Sequence, residues 1–214
     1  MRDMGLWMVV PVRSLRDGKR RLAPGLDVVQ RTALVQWLLA HTLEQAAQFP
    51  GLSRTLVVTA CAEVSAWVTN QGIRVLKESP PAGLNSALRQ AQSTVVALGG
   101  SRMLVVACDL PLLQPADVQH VAAAASDGIL VLAPDRSEQG TNALCVPVFR
   151  AFEFAFGPDS FLQHRQRAEI LGLETVTIRR RGLSFDVDLP RDLLELHGVI
   201  PSLHARRLAR DPVR

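Results

Sequence analysis

Apolar positions along the chain fall into two kinds of run. Short, nearly continuous runs rich in Val, Ile, Leu and Thr occur at residues 6–12, 55–59, 74–77, 103–108, 129–133, 143–148 and 174–178. Between them, at 28–48, 62–70, 85–98, 115–125, 160–171 and 190–197, apolar residues recur at helical spacing. The first kind predicts strands buried on both faces and the second predicts helices with one apolar face. Their alternation predicts an α/β fold, a three-layer sandwich with a mostly parallel central sheet and helices on both faces. In the helix predicted at 28–48, Leu34, Trp37, Leu38 and Leu43 share the face turned to the core.

The 214 residues suit a single core. No internal repeat or long linker breaks the pattern, so residues 1–200 read as one domain. Residues 201–214, with Pro201, Pro212 and four arginines, read as a loosely held basic tail. No apolar run approaches the roughly 20 residues that cross a bilayer, and Pro11 and Arg13 interrupt the first run too early for a signal peptide. Cys61, Cys108 and Cys145 are odd in number, widely spaced and set in apolar stretches. They read as reduced core thiols of a cytoplasmic protein.

The net charge of +4 is uneven. Arg13, Arg16, Lys19, Arg20 and Arg21 against Asp17 give one short segment +4, and residues 197–214 carry +3, which leaves −3 for everything else. One cationic loop on a mildly acidic body points to a small anionic ligand rather than to nucleic acid. A chain with no tyrosine and 5% aromatic residues also offers little for stacking on bases.

In open α/β sheets ligands bind beyond the carboxyl ends of the strands, so the segment after each run carries the candidate chemistry. The first run continues into Pro11-Val-Arg-Ser-Leu-Arg-Asp-Gly-Lys-Arg-Arg-Leu22. It has neither the glycine spacing of a Walker A loop nor G-x-G-x-x-G. Its side-chain charge can hold a triphosphate, or it is a solvated basic loop. The fourth run ends in Asp109-Leu-Pro, and a second Asp-Leu-Pro closes the segment Phe185–Pro190. There Asp186 and Asp188 lie two apart and share a face if extended. Three carboxylates beside a phosphate loop point to Mg²⁺ bridging nucleotide phosphates; each Asp-Leu-Pro is equally a helix cap. In Pro80-Pro-Ala-Gly-Leu-Asn85, Gly83 permits close backbone approach and Asn85 can read a base edge, or the two make a turn and a cap. A polar loop, Asp135-Arg-Ser-Glu-Gln-Gly-Thr-Asn142, separates two apolar strands. The segment Phe156-Gly-Pro-Asp-Ser-Phe-Leu-Gln-His164 enters a helix whose first amides suit a phosphate or carboxylate. Ser160 there is equally an N-cap, and His164, one turn on, reads as structural.

Six pieces in this order resemble the 2-phospho-L-lactate guanylyltransferase family, whose members make the guanylylated precursor of the deazaflavin coenzyme F-420. They are Pro-Val-Arg…Gly-Lys-Arg-Arg-Leu, Gly-Leu-Asn-Ser-Ala-Leu, Asp-Leu-Pro, Pro-Asp-Arg…Gly-Thr-Asn-Ala-Leu, Phe-Gly-Pro-Asp-Ser-Phe…His and Asp-Val-Asp-Leu-Pro, spanning residues 11–190. The resemblance implies a nucleotidyltransferase sandwich and transfer of GMP from GTP to a phosphorylated three-carbon acid: 2-phospho-L-lactate, phosphoenolpyruvate or 3-phospho-D-glycerate. It implies Asp109, Asp186 and Asp188 as Mg²⁺ ligands, with Lys19, Asp109 and Asp188 as the catalytic set. Arg13, Lys19, Arg21, Gly83 and Asn85 would face GTP, and Thr141, Gly157 and Ser160 the acid. At Arg13 many relatives have lysine, which leaves the role of Arg13 open. Having two lysines against 22 arginines points to a GC-rich bacterial genome, and by analogy to the latter two acids. The implied partners are GTP and the acid, with no nucleic acid and no membrane; a homodimer is allowed. Molybdenum-cofactor guanylyltransferases share the fold but carry glycines after the first strand, where Pro11–Ser14 has none. An RNA- or anion-binding module would leave the three carboxylates unexplained.

Overall fold

The computed structural model describes residues 5–16, 18–79, 83–149 and 151–196. Asp17 of the cationic loop, residues 80–82 and the basic tail lie outside the described residues. The strands are β1 (Leu6–Pro11), β2 (Thr55–Thr59), β3 (Arg74–Lys77), β4 (Arg102–Val106), β5 (Ile129–Pro134), β6 (Thr141–Pro147) and β7 (Glu174–Thr177). The helices are α1 (Val28–Gln48), α2 (Ala62–Thr69), α3 (Leu84–Ala97), α4 (Pro115–Ala124), α5 (Ser160–Ile170), α6 (Arg181–Ser184) and α7 (Pro190–Leu194). Of these only α6 lacks a counterpart in the apolar pattern, because four residues are too few to show a period.

One seven-stranded sheet runs in the order β3-β2-β1-β4-β6-β5-β7. It is mostly parallel, as expected, but β6 runs antiparallel to both β4 and β5. The apolar run gave no sign of this, since β6 is buried along its whole length and reads like a parallel strand. The β5–β6 turn is closed by Asp135. Its Oδ1 accepts from the amide of Gln139 at 3.1 Å and its Oδ2 from that of Gly140 at 3.0 Å.

Strand alternation divides the core. Met8 and Val10 pack with Val35, Leu39, Val64 and Val118 on one face, whereas Trp7 and Val9 pack with Leu88, Val95, Phe154 and Phe161 on the other. A third, smaller cluster lies outside the sandwich proper. Leu22 and Leu26 of the cationic loop and Leu34 and Leu38 of α1 meet Phe185, Val187 and Leu193 there, with Trp37 partly buried against them. None of the three cysteines is in a disulfide; Cys145 is buried in the core as expected, whereas Cys61 and Cys108 are half-buried against its edge. No helix among the described residues is long and apolar enough to cross a membrane.

Gly182 in α6 is a tight contact. A Cβ built there would overlap Asp117 Oδ2 and lie 2.7 Å from the carbonyl oxygen of Leu112. Asp117 cannot step aside freely, because it accepts from the amide of Gln114 at 2.9 Å and from Arg180 Nε at 2.5 Å. Gly182→Ala is therefore expected to cost about 2 kcal/mol in urea unfolding. A loss under about 0.5 kcal/mol would show that α6 shifts without resistance.

Candidate active site

Strand order reverses between β1 and β4, and the crevice beyond their carboxyl ends is where such sheets bind ligands. A cavity of about 700 Å³ opens there, with Arg13, Lys19, Arg21, Cys108, Asp109 and Asp188 in its wall. Lys19, the N-cap of a 3₁₀ turn at Arg20–Leu22, stands in the left-handed region, φ 53°. Its ammonium donates to Asp109 Oδ2 at 2.5 Å and to Asp188 Oδ1 at 2.8 Å, and Arg21 reaches Asp188 Oδ2 at 3.4 Å. Burial alone would lower the Lys19 pKa; Asp109 and Asp188 overcome that and hold it above the ordinary lysine range. Lys19 is a fixed cation at physiological pH. Cys108 is pushed up to about 12, by burial first and then by Asp109, so it stays a thiol.

The competing cap assignments resolve one by one. The N-cap of α7 is Leu189, and the carboxylate serving that turn belongs to Asp192. Its Oδ2 accepts from the amides of Leu189 at 2.6 Å and Asp188 at 2.9 Å. Arg136, lying over the Phe185 ring, donates to the other oxygen of Asp192 at 2.5 Å. Asp188 is thus held by its backbone while its side chain faces Lys19. Asp109 is no cap either: the N-cap of α4 is Gln114, and Asp117 closes that turn. Ser160 is the first residue of α5, and its Oγ donates to Thr141 Oγ1 at 3.3 Å. Asn85 lies inside α3, whose N-cap is Gly83. Its Nδ2 donates to the carbonyl of Phe156 at 3.0 Å and its Oδ1 accepts the Phe156 amide at 2.8 Å. The Asn85 amide, read from sequence as facing a base edge, clasps the segment that carries Gly157. Gly83 and Gly157 have φ of 123° and 137°, values that only glycine adopts readily.

The predicted residues therefore fall into two groups. Arg13, Lys19, Arg21, Asp109 and Asp188 line the cavity. Thr141 and Ser160 form a second, buried cluster with His164, whose Nδ1 lies 3.1 Å from Thr141 Oγ1 and whose Nε2 accepts the Ala155 amide at 3.0 Å. Antiparallel β6 connects them, because its first residues emerge at the rim where β1 and β4 end. Thr141 joins the buried cluster; Asn142, next to it, accepts the Ala107 amide at 2.8 Å and sends Nδ2 to Asp186 Oδ1 at 3.5 Å. A backbone bond from Val187 N–H to the Asp109 carbonyl, 3.2 Å, ties the two acidic segments together. Phe185 and Val187 are buried while Asp186 and Asp188 between and after them are half-exposed, as expected of an extended segment. Asn142, Asp192 and the bonding role of His164 had no signature in spacing; Asn142 was detectable only as the neighbour of Thr141.

Two features of this acidic group fit a cation. Asp109 Oδ1 is buried without a hydrogen-bond partner among the described residues. The Asp186 carboxyl has its pKa raised, first by burial and then by Asp109. As arranged, with the Lys19 ammonium between Asp109 and Asp188, no three His, Cys, Asp or Glu among the described residues form a metal-holding group. Carboxylate oxygens are hard donors, the kind that Mg²⁺ takes.

Comparison with known proteins places this geometry. The chain is 36% identical over 193 residues to a phosphoenolpyruvate guanylyltransferase of Sphaerobacter thermophilus, covering 90% of this chain and 93% of that protein. It is 32% identical to a 2-phospho-L-lactate guanylyltransferase of Methanothermobacter thermautotrophicus, covering 94% and 88%. Its fold is that of a nucleotidyl transferase structure from the same archaeon, with a TM-score of 0.62 at 17% identity over 97% of this chain and all of the other. Residues 6–206 match the family model described as guanylyl transferase CofC like. The protein is an enzyme of nucleotidyl transfer, and it belongs to the CofC-like guanylyl transferase family.

Proposed function

We propose that the protein transfers GMP from GTP to a small phosphorylated acid and releases pyrophosphate, as a cytoplasmic step in making the deazaflavin coenzyme. The observation that carries this reading is the Lys19 ammonium locked between Asp109 and Asp188 at the sheet's carboxyl rim, beside the separate hydroxyl cluster of Thr141 and Ser160. Cationic Lys19, Arg13 and Arg21 face the triphosphate, and Thr141, Ser160 and the bare backbone at Gly157 face the acid. Gly83 and the α3 entrance border the guanine.

The reaction needs little from the protein beyond position and charge. A phosphate oxygen of the acid attacks the α-phosphorus of GTP, a new P–O–P bridge forms, and the bond to the β-phosphate oxygen breaks as pyrophosphate leaves. The attacking oxygen is already ionised near neutral pH, so no general base is required. Asp109, Asp186 and Asp188 would hold Mg²⁺, which supplies charge neutralisation across the phosphates. Lys19 keeps its proton throughout and offsets charge on the departing pyrophosphate. The choice among phosphoenolpyruvate, 2-phospho-L-lactate and 3-phospho-D-glycerate rests on the acid pocket. The phosphoenolpyruvate enzyme among the relatives supports testing that acid first.

Incubation with GTP, Mg²⁺ and each acid should release pyrophosphate with at least one; release with none of the three rejects the reading. Asp188→Asn is expected to lower kcat by 100-fold or more with the fold intact, since it weakens both the cation site and the Lys19 contact. Turnover near that of the unmodified enzyme would remove Asp188 from the chemistry. In this reading Ser160→Ala removes a hydroxyl that would bond the charged acid, directly or through Thr141. KM for the acid should rise about tenfold while KM for GTP stays within twofold. Equal weakening of both substrates would move Ser160 to the nucleotide side.

A further inference from the structure

We propose that Lys19 is a placeholder cation: before metal and nucleotide arrive, its ammonium holds the carboxylates of Asp109 and Asp188 against free Mg²⁺, and it releases them only when triphosphate oxygens take it over. This rests on the transferase reading for the identity of metal and nucleotide, and on geometry for the clamp.

Four oxygens belong to Asp109 and Asp188, and cations of the chain itself take three of them. The Lys19 ammonium donates to Asp109 Oδ2 at 2.5 Å and to Asp188 Oδ1 at 2.8 Å, and Arg21 reaches Asp188 Oδ2 at 3.4 Å. The fourth, Asp109 Oδ1, is buried. Lys19 is set more deeply than either carboxylate: its side chain is 11% exposed, against 26% for Asp109 and 41% for Asp188. A divalent cation entering from the cavity therefore meets carboxylates already bonded to a positive charge. Asp186 adds a third carboxylate, engaged by Asn142 Nδ2 at 3.5 Å. One carboxylate without phosphates makes a poor Mg²⁺ site. This ion gives up its water reluctantly and is usually held by carboxylates together with substrate phosphates.

Displacing Lys19 is itself unfavourable. A buried ammonium stripped of both partners is an unpaired charge in a poorly solvated place. Mg²⁺ alone offers it no new partner, since the two repel. A triphosphate offers it oxygens in the same cavity, whose wall also holds Arg13 and Arg21. The side chain suits such an exchange. The Lys19 carbonyl is fixed by the Leu22 amide at 2.9 Å, while the ammonium rides on a flexible four-carbon stem with three rotatable donors. Metal and nucleotide are thus loaded together, and until then Lys19 and Arg21 offset the repulsion among the three carboxylates.

The test uses Mn²⁺ in place of Mg²⁺, because paramagnetic resonance measures the free ion without any turnover. With no nucleotide present, Lys19→Met should bind Mn²⁺ at least about tenfold more tightly than the unmodified protein, and Arg21→Met within about threefold of it. The Lys19→Met gain should persist in about 0.5 M KCl, which screens a distant charge but not one in contact with the carboxylates. No gain, an equal gain in Arg21→Met, or a gain abolished by salt would overturn the proposal. If Lys19→Met does not fold, the unmodified protein answers by itself. It has two lysines, and Lys77 is exposed, so nitrogen-15 at lysine Nζ resolves Lys19. Mg²⁺ alone should leave that NMR signal in place, and Mg²⁺ with GTP, the acid omitted, should move it. Movement with Mg²⁺ alone, or none with GTP, overturns the proposal. Absence of pyrophosphate with every acid would reject the transferase reading, while the Mn²⁺ comparison would still decide whether Lys19 guards the carboxylates.

Discussion

The arrangement of the charged site depends on a small apolar contact. Leu22 and Leu26 follow Lys19 and Arg21 in sequence, and Phe185 and Val187 alternate with Asp186 and Asp188. These four apolar side chains pack together, with α1 and α7, in the third hydrophobic cluster. A cationic loop and an acidic strand far apart in sequence are thereby brought into register by burial, a non-directional force that costs no charge desolvation. The ion pairs then choose the final geometry. Of these, the Arg21–Asp188 pair is a weak anchor, because Asp188 is 41% exposed and Arg21 76% exposed, where screening leaves little net energy.

Support for Asp188 also comes from behind. Arg136 covers the face of Phe185 and grips Asp192, whose other oxygen holds the Asp188 and Leu189 amides. Burial alone would raise the Asp192 pKa, but the Leu189 and Asp188 amides and Arg136 more than offset this, so the carboxylate stays ionised at the start of α7. One aspartate does the structural work of the helix terminus, which frees the one four residues before it for ligand chemistry.

Much of this was legible in the amino-acid sequence. Strand runs and helical spacing located every strand and every helix of more than four residues among the described residues, and the carboxyl-end rule directed attention to Asp109 and to the loop carrying Lys19. What was not legible has physical causes. The direction of β6 leaves no trace in a strand buried on both sides. An aspartate near a helix start can cap it or face away, and Asp188 and Asp192 are both suitably placed; the choice is made by Arg136, from another part of the chain. Asn85 looked free because its partner, the Phe156 backbone, is 71 residues away. The bonding role of His164 depends on one amide of an irregular segment, which no periodicity reports.

Antiparallel β6 has one more consequence, for what changes the chain can absorb. The turn before it presents Arg136 to α7, then hands over Thr141 and Asn142, neighbours that serve opposite groups of the site. Because side chains alternate along a strand, one inserted residue that slid β6 by a single step would put Thr141 where Asn142 now stands. The hydroxyl would arrive at Asp186, and the buried cluster around His164 would lose it. The turn can vary in composition but not in length. Variation around the hydroxyl cluster is left to residues 152–160, where irregular backbone can be reshaped without moving the sheet.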